Sequence, residues 1–127
     1  MSRPPFLSFD HVQLAMPAGR EDEARAFYAG VLGFVEEPKP EDLRARGGAW
    51  FASGPVRLHL GVEPDFRPAK KAHAALLCAG FESLIERLSG LGVEVVRAGA
   101  FEDGSEHAYV SDPFGNRIEL VSAERQG

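Results

Sequence analysis

The second half of the chain repeats the plan of its first half, and few folds accommodate such a repeat. His11 opens one strand-like segment and His73 opens another, 62 residues later. His59 sits in a strand-like run that closes the first half. Glu119 sits in the matching run of the second half, 60 residues on. Two helical patterns lie between these pairs and end at Gly33 and Gly92, which are 59 residues apart. Offsets this uniform point to a duplicated module, and the period is far too long for a solenoid of small repeats.

Each half reads β-α-β-β-β. Residues 8–16 alternate apolar and polar side chains, as a half-buried strand does. Ala24, Phe27, Tyr28, Val31 and Leu32 form one apolar helical stripe. Glu21, Asp22 and Glu23 lie in its first turn, where acidic groups oppose the positive end of the helix dipole. Gly33 suits the left-handed position that ends a helix. A short strand is expected over 34–37, a charged loop over 41–47, and a hairpin from 48–53 to 56–62 around Ser53-Gly54-Pro55. The second half follows with a strand over 73–79 and a helix carrying Phe81, Leu84, Ile85, Leu88 and Leu91. A strand over 93–97, a glycine-rich acidic loop over 99–105, and a hairpin from 107–111 to 116–122 complete it. Its turn, Asp112 to Asn116, has proline and glycine where a tight reversal needs them. The expected organisation is a single α+β domain over 1–127, with one βαβββ module at 7–62, a linker at 63–71 and a second module at 72–122. The two modules together are expected to form a cup-shaped mixed sheet.

Composition narrows the function classes. A chain of 127 residues with 44% hydrophobic and 26% charged residues is long enough for one well-buried core. A formal charge of −5 argues against a general nucleic-acid binder. No run approaches the ~18 apolar residues of a membrane span. Met1-Ser2-Arg3-Pro4-Pro5 carries no apolar signal core, so a cytoplasmic location is expected. The single cysteine, Cys78, lies in an apolar stretch and reads as a small buried core residue.

Strand parity then sorts the polar residues. Val56, Leu58, Leu60 and Val62 share one face, and Arg57 and His59 share the other. Ile118 and Leu120 oppose Arg117 and Glu119. The same parity groups His11 with Gln13, His73 with Ala75, and His107 with Tyr109 and Ser111. The apolar faces pack on the helices, so His59 and Glu119 face whatever the sheet encloses. Three imidazoles and one carboxylate suit a divalent transition metal, and two histidines with a carboxylate also recur in non-haem Fe(II) oxygenases. Trp50 and Phe51 read as core or dimer packing ahead of a pocket wall, and Arg67, Lys70 and Lys71 as a solvated linker face ahead of an electropositive rim for an anionic substrate.

Phe9-Asp10-His11-Val12, Phe27-Tyr28-Ala29-Gly30-Val31-Leu32-Gly33-Phe34 and Asp112-Pro113-Phe114-Gly115-Asn116-Arg117-Ile118-Glu119-Leu120 resemble the vicinal oxygen chelate superfamily. That group includes glyoxalase I, fosfomycin-resistance thiol transferases, extradiol dioxygenases, methylmalonyl-CoA epimerase and bleomycin-resistance proteins. The resemblance covers residues 7–122. It implies paired βαβββ modules around a cup, with metal ligands at His11, His59, His73 and Glu119. It also implies a divalent cofactor (Zn, Ni, Fe(II), Mn or Co), a small-molecule substrate and an oxyanion or enolate intermediate. His59 and Glu119 would be the catalytic groups. Gln13, His107 and Tyr109 would be the substrate contacts. A homodimer is implied in which His11 and His59 of one chain meet His73 and Glu119 of the other. Two departures stand out. Glyoxalase I usually has glutamate where His59 stands, and fosfomycin thiol transferases have threonine where Gln13 stands, though Tyr109 matches one of their pocket tyrosines. The rival expectations are a non-catalytic binder of a small molecule or antibiotic, and a scaffold that keeps the ligands as a structural metal site.

Overall fold

The computed structural model describes residues 3–125. Each half forms a four-stranded mixed sheet. The first half supplies β1 (Val12–Met16), β2 (Val35–Glu37), β3 (Ala49–Ser53) and β4 (Val56–Val62), in the order β1-β4-β3-β2. The second supplies β5 (Ala74–Cys78), β6 (Val96–Ala100), β7 (Ser105–Ser111) and β8 (Arg117–Arg125), in the order β5-β8-β7-β6. In both, the first strand pairs parallel with the last, and the remaining pairs are antiparallel. The duplicated βαβββ plan is thus present in the fold. Among the described residues, no helix is long and apolar enough to cross a membrane.

The helices cover the apolar faces. Helix α1 (Glu21–Arg25) runs on into a π-helical segment, Ala26–Val31, whose wider turn is seen in the bond from Leu32 N–H to the Phe27 carbonyl. Helix α3 (Phe81–Gly90) serves the second sheet. Phe27 and Tyr28 pack with Phe51, Leu58 and Leu60. Phe81, Ile85 and Leu88 belong to the same continuous core as Ala108, Val110, Ile118 and Leu120. Each fully buried side chain of this size contributes about 1.5–3 kcal/mol of transfer free energy. The strand parity read from the sequence holds in β4, where Leu58 and Leu60 are buried with the core.

Several local expectations differ from the structure: the first strand, expected over 8–16, begins only at Val12 and leaves His11 ahead of it. The loop expected over 41–47 contains a helical turn, α2 (Glu41–Arg44). Pro40 leads into it, with Glu41 and Asp42 at its start and Arg44 at its end, an arrangement that suits the helix dipole. The strand expected over 93–97 lies later, at Val96–Ala100. The chain first closes α3 through Gly92, at φ +85°, and a bond from Val93 N–H to the Leu88 carbonyl. The loop expected over 99–105 is therefore shortened to a reversal at 101–104, with a register shift between Arg97 and Gly99. Finally, β8 starts after Asn116 and runs past Ser122. Cys78 is half-buried against the core.

The modules are tied by a buried polar knot. The Asp112 carboxylate accepts four hydrogen bonds: from Tyr28 O–H, Phe114 N–H, Asn116 N–H and the Asn116 side-chain amide. The same Asn116 amide also donates to the Ala15 carbonyl at 2.8 Å, and its oxygen accepts from Ala69 N–H at 3.0 Å. One turn of the second module thus grips β1, the first module's helix and the linker together. The sequence shows only the turn.

Candidate functional site

Strand register lays one row of side chains across the polar face of each sheet. In the first sheet the row is Gln13, His59, Trp50 and Glu37. In the second it is Ala75, Glu119, Tyr109 and Val96. Directly paired residues share a face, so each row is a contact line. The rows correspond member by member, which extends the repeat from sequence to space. His11 and His73 stand at equivalent places, just before β1 and β5.

His59 is only 7% exposed and lies between two rings. His11 stacks on it at 4.1 Å between centroids, and Trp50 stacks on it at 4.2 Å. Burial, and then the neighbouring His11, push the His59 pKa down. The neutral imidazole that results has a lone pair free for a cation. On His11, Nδ1 faces Asp10 Oδ2 at 2.9 Å, a carboxylate–histidine contact that leaves Nε2 available.

The second sheet holds the other half of the candidate site. His73 Nδ1 lies 2.8 Å from the Lys71 carbonyl, which can only accept, so Nδ1 carries the hydrogen. His73 Nε2 lies 2.8 Å from Glu119 Oε1. Two acceptor lone pairs at that distance need a positive charge between them, either a proton or a cation. The backbone thus presents His73 in the tautomer a metal ligand requires, beside a carboxylate that is 8% exposed. Tyr109 packs edge-on against both His73 and His107, each at 5.8 Å. Phe101 stacks on His107 at 4.0 Å, and Arg117 lies 4.7 Å above the Tyr109 ring. His107 Nδ1 is buried without a hydrogen-bond partner.

The structure therefore brings His11 to His59, and His73 to Glu119. It does not bring the four together. Among the described residues of one chain, no three His, Cys, Asp or Glu side chains group as a metal site. Gln13 stands beside His59 in the row, while Tyr109 touches both His73 and His107. Of the two expectations for Trp50, its position fits the pocket wall rather than core packing. It lies on the polar face against His59, whereas Phe51, its neighbour, is core as expected. Strand parity already held that signal, because the 48–53 to 56–62 hairpin sets Trp50 opposite His59. Sequence reasoning assigned no part to Asp10, although it lies in the motif with His11, or to the Lys71 carbonyl. Arg67, Lys70 and Lys71 are exposed.

Comparison with known proteins agrees with this architecture. A family model described as Glyoxalase/Bleomycin resistance protein/Dioxygenase superfamily matches residues 8–120. A glyoxalase family protein from Bacillus anthracis has the same fold with a TM-score of 0.92 and 46% identity, over 97% of this chain and 100% of that one. A genomically encoded fosfomycin resistance protein, FosX, from Listeria monocytogenes shares the fold at a TM-score of 0.72 and 15% identity, over 94% and 95% of the two chains. Among curated proteins, Glyoxylase I 4 of Arabidopsis thaliana is 31% identical over 113 residues. That match takes in 81% of this chain but spans only 64% of the plant protein's length. With its duplicated βαβββ modules and a family match across nearly its whole length, the chain belongs to the Glyoxalase/Bleomycin resistance protein/Dioxygenase superfamily.

Proposed function

We propose that this protein is a divalent-metal-dependent enzyme acting on a small molecule, and that two copies of the chain complete each site. His11 and His59 of one copy would hold the ion with His73 and Glu119 of the other. The supporting observation is the pair of half-sites at equivalent places in the repeat, each with metal-ligand donors. The ligand chemistry fits a metal: the His73 tautomer is set by Lys71, His11 is backed by Asp10, and His59 is held neutral. Such an ion, when bound, polarises a substrate oxygen and stabilises a developing oxyanion or enolate. His59 or Glu119 would move the proton, and Gln13, His107 and Tyr109 would orient the substrate. Lyase, thiol-transferase and dioxygenase reactions all suit this arrangement. Phe6, Leu7 and Phe9, each about 90% exposed and close together in the chain before His11, support association, because clustered exposed apolar residues are one mark of a contact surface.

A mixing experiment tests both metal binding and sharing. Untagged protein should retain Zn, Ni, Mn, Co or Fe(II) by elemental analysis, and His59→Ala and Glu119→Ala should each lose it. Heterodimers of the two variants would carry one intact site of two, so refolding them together should restore about a quarter of wild-type metal. No recovery on mixing would place the site within one chain. Wild-type protein that neither holds nor is stabilised by any of these metals sinks the enzyme reading. A second reading, a metal-independent binding protein, draws on the absence of a three-ligand group within one described chain. Thermal stabilisation by a small molecule without metal would favour it.

A further inference from the structure

Past His59, the polar face of the first sheet falls into a pocket of about 260 Å³. Gln13, Lys39, Leu43, Arg46, Trp50 and Gly61 are among its walls. One strand position in its lining, Gly61, lacks a side chain. Gly61 follows His59 on the same face of β4, and Gln13 lies across it: a Cβ on Gly61 would meet Gln13 Nε2 at 2.6 Å. Gly48, at φ +84°, leaves no room for a Cβ against the Leu60 carbonyl. The segment around α2 then overhangs this low floor and brings two cations to it.

The lining is chemically one-sided. It contains a lysine, an arginine, a primary amide and an indole, and no acidic residue. The Lys39 ammonium is steadied by the Gly47 carbonyl, a contact that keeps it at the pocket. The Arg46 guanidinium has no hydrogen bond or ion pair among the described residues, although the protein carries a net charge of −5. Carboxylates stand next to this lining without being part of it: Glu21 accepts from Gly48 N–H, Glu37 lies across Trp50 in the row, and both share an adjoining pocket with Lys39. An unpaired guanidinium beside an ammonium suits a planar or tetrahedral oxyanion. Two residues of strand span about 6.6 Å, so one small molecule reaches from His59 to this pocket.

We infer that the ligand of this site carries an oxyanion, a carboxylate or a phosphate monoester, seated between Lys39 and Arg46, with a flat apolar part against Trp50. This deepens the proposed function, whose reacting end it places at His59, but it does not need the metal in order to be tested. Trp50 is the chain's single tryptophan, so its fluorescence reports the pocket directly. Metal-stripped protein is titrated with phenyl phosphate, benzoate and neutral benzyl alcohol. The two anions should change the emission saturably and bind at least about tenfold more tightly than the alcohol, with affinity falling as salt rises. The stronger of the two anions identifies the group. Arg46→Ala should weaken anion binding about tenfold and Arg46→Glu more, while Lys70→Ala, the same charge loss on the linker, should change nothing. Equal binding of anion and alcohol overturns the inference, as does unchanged affinity in both Arg46 variants, or no saturable change up to about 10 mM. The titration is repeated on His73→Ala. Anion binding retained there while metal is lost leaves this inference standing on its own, whereas wild-type protein that holds metal but shows no anion selectivity removes the inference and spares the enzyme reading.

Discussion

Removal of one oxygen atom tests what holds the two modules in position. Tyr28 is fully buried, and its hydroxyl donates to Asp112 Oδ2 at 2.7 Å. Burial, then the Asp112 charge, push the Tyr28 pKa up, so the hydroxyl stays a donor at any ordinary pH. Tyr28→Phe keeps the ring and its packing on Phe27 and Phe51 but deletes this donor. A buried hydrogen bond to a charged acceptor contributes about 1.5–3 kcal/mol. For a domain of this size that corresponds to a Tm loss of about 5–12 °C, measured by calorimetry at fixed protein concentration. Asp112→Asn should cost more, about 3–5 kcal/mol, because its amide turns donors toward donors at a site that accepts four hydrogen bonds. The double variant should lose less than the sum of the two. A Tyr28→Phe loss under about 2 °C, or strict additivity with Asp112→Asn, would refute the claim that this knot holds the modules together.

Two further outcomes follow from the same coordinates. Gly48→Ala combines a left-handed backbone with a clash at the Leu60 carbonyl, and should cost about 3 kcal/mol or more in chemical denaturation. Burial pushes the Cys78 thiol pKa up, which lowers the thiolate fraction at a given pH, so a disulfide reagent should modify native protein more slowly than unfolded protein at pH 8.

Much of the architecture was legible because it rests on local periodicity. The alternation in 56–62 placed His59 opposite Leu58 and Leu60, and β4 has that arrangement. The helical stripes and their terminal glycines likewise placed α1 and α3. The misplaced elements share a cause. Residues 93–95 look like a strand by composition, yet they close α3 and pack on the core, a choice made by contacts with Leu88. Helix α3 has no side-chain cap of its own at Gly80. The Glu124 carboxylate instead accepts from Gly80 and Phe81 N–H, from more than forty residues away.

The sequence by itself determined two βαβββ modules, which side chains face the core, and which chemistry-bearing residues face away from it. These follow from strand and helix periods, which each segment carries within itself. Only the tertiary structure decided that the four candidate ligands form two separate pairs, that Trp50 and His11 enclose His59, and that Lys39 and Arg46 overhang Gly61. Those outcomes depend on strand register and on the turn at Asp112 to Asn116, which binds Tyr28 and Ala15 from 84 and 101 residues away. Contacts at that range are set by packing of the whole chain, and no local pattern encodes them.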